Sequence, residues 1–94
     1  MPIVPIGWVS TEEVAKRVGY LQTHYAGNPL VRQIDYRVGV DWSDDPAVFV
    51  TIRLASKDIP MAEITQLAEN VRADLRRLVR TDEIGLHSYL NFAG

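Results

Sequence analysis

Three carboxylates, two imidazoles and a line of guanidinium groups are the side chains of this sequence whose types and spacing suit chemistry. Asp41, Asp44 and Asp45 fall within five residues, a local density of anionic oxygen suited to a hard cation such as calcium or magnesium. The stretch lacks the spacing and distal glutamate of a calcium loop, and Asp45 stands before Pro46, an ordinary turn-forming pair. His24 and His87, the two histidines, fall in separate segments without zinc-type spacing. The expectation is therefore no bound metal and no cofactor. Arg72, Arg76 and Arg80 recur at every fourth position with Arg77 beside them, an arrangement able to hold an anion. Glu69 and Asp74 stand three residues before Arg72 and Arg77, so internal ion pairs on a solvated helix face are expected instead.

Periodicity supplies the elements that would position these groups. Ser10-Thr11-Glu12-Glu13 reads as a capping box, with Val9 and Val14 placed as a hydrophobic staple. Val14, Val18, Leu21 and Tyr25 continue an apolar stripe, so a helix is expected over 11–25, stopped by a left-handed turn and a breaker at Gly27, Asn28 and Pro29. Ile34, Tyr36, Val38, Val40 and Trp42 alternate with Asp35, Arg37, Gly39 and Asp41, the pattern of a strand with one buried face. Residues 47–55 place Val48, Val50, Ile52 and Leu54 on one side and Phe49, Thr51 and Arg53 on the other, completing a hairpin. Opposing Val40 to Val48 sets Asp35 across from Arg53 and Phe49 over bare Gly39, whereas a slip that opposes Arg37 to Arg53 is repulsive. The first register is the expected one.

Pro60 suits the opening of a second helix, which Ile64, Ala68, Val71, Leu75 and Leu78 carry to about residue 80. Glu63 near its start and Arg76, Arg77 and Arg80 near its end complement the helix dipole. Ile84, Leu86, Leu90 and Phe92 then alternate with Gly85, His87, Tyr89 and Asn91 in a last strand, with Ser88 the polar member of the inner set. The result is a single α+β domain, 1–94, of order α-β-β-α-β. It becomes β-α-β-β-α-β if residues 3–8 add an edge strand around Pro5; otherwise residues 1–9 are an N-terminal arm. Right-handed crossovers carry both helices to one face of an antiparallel or mixed sheet, a ferredoxin-like sandwich.

Composition narrows the function. Hydrophobic residues at 47% and charged residues at 23% are those of a folded domain. A net charge of −2 gives no overall attraction to nucleic acid or anionic membrane. No cysteine is present, which excludes disulfides and thiolate metal sites and fits the cytoplasm. The apolar opening residues lack the basic flank and the length of a signal or membrane span.

The sheet face without helices should carry Arg37, Phe49, Arg53, His87 and Tyr89, with Thr51 and Asn91 among them. Aromatic rings interleaved with arginine match the composition of interface hot spots, and Phe49 and Tyr89 are the expected anchors. The same face would suit single-stranded RNA, but a glycine-aromatic recognition signature and a basic footprint are both missing, so nucleic acid is not expected. One enzyme resemblance exists. Met1-Pro2-Ile3 resembles the start of tautomerase superfamily chains, whose processed forms begin with a catalytic proline. That resemblance implies Pro2 as general base and an arginine such as Arg37 or Arg53 stabilising the enolate. The reading from the residues is a small non-enzymatic module for protein binding or self-assembly, working as a homodimer or with a protein partner. The alternatives are the proline-based acid–base enzyme and a small regulatory protein that binds a larger partner.

Overall fold

The computed structural model describes residues 10–81 and 83–93; the expected staple at Val9, the strand at 3–8 and the amine of Pro2 lie outside them. Ser10 is extended, and its hydroxyl accepts from the Glu13 amide at 3.1 Å, so α1 (Thr11–His24) begins at the expected cap. The Glu13 carboxylate takes Arg17 one turn on, at 2.9 Å. Val14, Val18, Leu21 and Tyr25 are buried, as the stripe requires. The helix end differs from expectation: the left-handed residues among those described are Asp44, Arg80 and Gly85, not Gly27. Asn28 makes the turn instead, its side-chain oxygen accepting from the Leu30 amide at 2.8 Å.

The hairpin forms from β1 (Val31–Val40) and β2 (Pro46–Leu54), in a register two residues away from the expected one. Val38, not Val40, faces Val48; Arg37 faces Phe49, Asp35 faces Thr51 and Gly39 faces Ala47. The tip is the physical reason. Asp44 adopts φ 62°, the Asp44 amide donates to Asp41 O and the Asp41 amide to Asp45 O, both at 3.0 Å. These bonds close a three-residue loop of turn-plus-left-handed type and draw Pro46 into the strand opposite Val40. The Asp35–Arg53 ion pair survives as a diagonal contact.

Helix α2 (Met61–Asp74) follows Pro60, which caps it from outside rather than starting it. It runs into a π-helical turn, Leu75–Val79, in which the Arg80 amide donates to Leu75 O at 2.8 Å. One extra residue in the turn rotates the apolar face, so Val79, not part of the expected stripe, is fully buried, while Leu78 is partly buried and packs against the core from its edge. The last strand is shorter than expected: β3 is His87–Ala93. Ile84 and Leu86 are buried from the preceding loop, where Gly85 takes φ 71°.

The order is α-β-β-α-β, an α+β fold compatible with a ferredoxin-like arrangement. Among the described residues a three-stranded mixed sheet runs β1-β2-β3, with β1 antiparallel and β3 parallel to β2. Both helices cover the even-numbered face, where Val48, Val50 and Ile52 meet Val18, Leu21, Val71, Leu75 and Val79 with no solvent exposure above a few per cent. On β1 this core ends at Val38; Val40 and Trp42, expected inside, are 53% and 82% exposed.

Candidate functional site

Among the described residues no helix lies over the odd-numbered face, and register arranges its side chains in rows across three strands. Gln33, Arg53 and Ala93 form one row; Asp35, Thr51 and Asn91 the next; Arg37, Phe49 and Tyr89 the third; Gly39, Ala47 and His87 the fourth, beside the hairpin tip. In the third row the Arg37 guanidinium lies 4.3 Å above the Phe49 ring, and Phe49 stacks on Tyr89 with centroids 5.3 Å apart and planes 18° from parallel. Trp42 extends the row from the tip, 5.2 Å from Tyr89 and tilted by 58°. Cation–π and aromatic contacts of this kind each contribute about 0.5–1.5 kcal/mol.

The fourth row is small at two of its three positions, which leaves room for those rings. A Cβ on Gly39 would stand 3.2 Å from Arg37 Nη1 and 4.0 Å from a Phe49 ring carbon. The Tyr89 hydroxyl reaches past this gap and donates to Asp41 Oδ2 at 2.7 Å. Asp41 Oδ1 accepts from the Ser43 and Asp45 amides at 2.8 and 3.1 Å, so its buried carboxylate is fixed by three donors. The Tyr89 hydrogen bond, then the two amides, hold Asp41 below the usual carboxylate range, and Asp41 in turn pushes the Tyr89 hydroxyl up.

Of the residues expected at a site, Arg37, Phe49 and Tyr89 therefore come together in one row. His87 and Arg53 flank that row on opposite sides. His87 Nε2 is 3.5 Å from Asp45 Oδ2, and Arg53 is tied to Asp35, whose carboxyl that pair holds below its ordinary value. Two depressions border the row. One, of about 300 Å³, lies against Arg37, Phe49, Thr51, Tyr89 and Asn91. The other, about 530 Å³, lies between Arg76, Thr81 and the start of β3 at His87, Ser88 and Tyr89.

Sequence reasoning missed Trp42, which alternation assigned to the buried set, and the joint role of Asp41 and Asp45 as the closing pair of the tip. The carboxylates and the His87 imidazole offer three ligand atoms within 4.8 Å of one another, the one such group among the described residues. The arginine line forms part of the expected ion pairing. Arg77 pairs with Asp74 at 2.7 Å and Arg80 with Glu83 at 3.4 Å, but no Glu69–Arg72 pair forms among the described residues. Asp74 is not on a solvated face at all: it is buried and accepts from the Tyr25 hydroxyl at 2.6 Å.

No helix among the described residues is long and apolar enough to cross a membrane. No protein-family model matches the chain, and neither a curated protein nor a solved structure does.

Proposed function

We propose that the protein is a non-enzymatic assembly module that binds a second copy of itself through the odd-numbered sheet face. The observation that supports this most is the uncovered row Arg37–Phe49–Tyr89 with Trp42 at its end. Rings and guanidinium groups of this kind carry most of the energy in protein interfaces, and here no element of the described chain covers them.

A second copy is favoured by the charge along the face. The tip end carries Asp41, Asp44 and Asp45, whereas the far end carries Arg53 with its partner Asp35, so the negative charge of the face gathers at the tip. A two-fold axis along the aromatic row lays ring on ring and places each acidic tip over the partner's arginine end, an isologous and self-complementary contact.

Sedimentation velocity from 1 µM upward measures this directly, comparing the full chain with Phe49→Ala. The expected result is a concentration-dependent dimer that dissociates at least tenfold more readily in the variant, with an unchanged circular dichroism spectrum. A wild-type chain that stays monomeric at several hundred micromolar, or a variant that dimerises equally well, overturns the proposal.

A further inference from the structure

We propose that the hairpin tip and the head of β3 form a binding site for a divalent transition-metal ion, ligated by the carboxylates of Asp41 and Asp45 and the imidazole of His87. The donors come from two elements far apart in sequence, yet their ligand atoms lie within 4.8 Å of one another, and His87 Nε2 and Asp45 Oδ2 are 3.5 Å apart. Imidazole nitrogen with two carboxylates suits zinc, cobalt or manganese better than calcium or magnesium, which prefer all-oxygen shells.

The tip is built to present these groups. The Asp41 amide to Asp45 carbonyl bond holds the two aspartates side by side, and β-register sets His87 across from Ala47 next to them. A carboxylate offers about four lone-pair positions. On Asp41 the Ser43 amide, the Asp45 amide and the Tyr89 hydroxyl take three, all of them orienting the group, and one position on Oδ2 remains. Such outer hydrogen bonds are what orient the ligands in protein metal sites.

Electrostatics points the same way. Asp41, Asp44 and Asp45 crowd one tip, and among the described residues none of them pairs with Lys or Arg; His87 is their single basic neighbour. A divalent ion between Asp41 and Asp45 offsets that repulsion. Tetrahedral metal–ligand bonds of about 2.1 Å require donors about 3.4 Å apart, so the more distant donors must draw together. The movement falls on Asp45 and His87, whose side chains are 54% and 59% exposed and free to shift, while Asp41 stays fixed. On the His87 side the 530 Å³ cleft leaves space for water or an exogenous anion to complete the shell.

Asp41, Asp45 and His87 all belong to one protomer, so the site is complete without self-association even though the proposed dimer contact also uses the tip, and its test separates the two. The full chain, labelled with ¹⁵N, is titrated with substoichiometric MnCl₂, and ZnCl₂ binding is measured by calorimetry in parallel with MgCl₂. The expected result is amide broadening centred on residues 41–45 and 87–89, zinc binding tighter than magnesium binding, and at least a tenfold loss of zinc affinity in both His87→Ala and Asp45→Asn. His24→Ala, which alters the other histidine, should bind zinc like the wild type. Broadening centred elsewhere, or His87→Ala binding zinc as tightly as the wild type while keeping a native amide spectrum, overturns the proposal.

Discussion

Replacing Tyr25 with Phe removes one oxygen from between the two helices and leaves the ring where it is. Tyr25 is 5% exposed, and its hydroxyl donates to Asp74 Oδ2 at 2.6 Å; Arg77 holds the other carboxylate oxygen, and His24 stands 3.5 Å away. A hydrogen bond to a charged group contributes about 1.5–3 kcal/mol, and loss of the donor leaves a buried carboxylate only partly served by Arg77. We expect a loss of about 2 kcal/mol at pH 7, which for a chain of this size lowers Tm by about 8–16 °C. The pH dependence gives a second readout. Burial works to raise the Asp74 carboxyl, but the Tyr25 and Arg77 hydrogen bonds outweigh it and hold the group below its ordinary value of 3.8. A depressed carboxyl stabilises the fold fully above its unfolded value, and that contribution is lost as pH falls through the folded value. The acid limb of the wild type below about pH 4 should therefore flatten in Tyr25→Phe. At the other end, burial and then Asp74 push the Tyr25 hydroxyl well above its ordinary value of 10, so the wild type should lose stability above that pH, and the variant, which keeps only the raised Tyr89 hydroxyl, should lose less. Urea unfolding followed by circular dichroism from pH 2 to 11 measures all three effects. A loss under about 0.5 kcal/mol at pH 7 with an unchanged acid limb would refute the account of this buried pair.

Two further substitutions probe the π-helical turn and the open face. Val79→Ala removes two fully buried carbons and should cost about 2 kcal/mol in urea unfolding, more per carbon removed than Leu78→Ala at a partly buried position; the reverse order would mean that the helix keeps a regular phase through Leu75–Val79. Tyr89→Phe keeps the stack on Phe49 but removes the donor to Asp41, so the Asp41 carboxyl, followed by ¹³C NMR, should titrate at higher pH. An unmoved Asp41 titration would count against that hydrogen bond.

Where sequence alone was sufficient, the pattern had one physical interpretation. Ser10 before Val14, Val18 and Leu21 could only be a capped helix packing on a core, and alternation from Ile34 to Val38 could only be a half-buried strand. It misled where local geometry changed the phase. Val40 and Trp42 continue the alternation, but alternation says which side a residue faces and nothing about where the covering helices stop. The π-turn brought Val79 into the core beside the expected Leu78 because its extra residue is invisible to a 3.6-residue period. Asp74 looked like a surface partner of Arg77 because its buried partner, Tyr25, is distant in sequence and was itself read as plain core. Gly85 and the buried Ile84 and Leu86 imitated a strand, since two apolar residues flanking a left-handed glycine alternate just as strand residues do.

The register of the hairpin links these errors to function. Had Val40 faced Val48, Arg37 would stand opposite Thr51 and the Phe49 ring would lie over Gly39, with no cation across from it. Closure of the tip at Asp41 and Asp45 moves Phe49 opposite Arg37, and the parallel pairing of β3 brings Tyr89 to its other side, so one ring is held between a guanidinium and a second ring. Each member of that row restricts its neighbour's rotamers within the monomer. A partner that lands on the row then orders few additional side chains, at a saving of about 0.5–1.5 kcal/mol for each one already fixed. Phe49→Ala should for that reason weaken self-association by more than it destabilises the monomer, a ratio measurable by sedimentation beside urea unfolding. Equal losses in the two would mean that the row serves the sheet and not a partner.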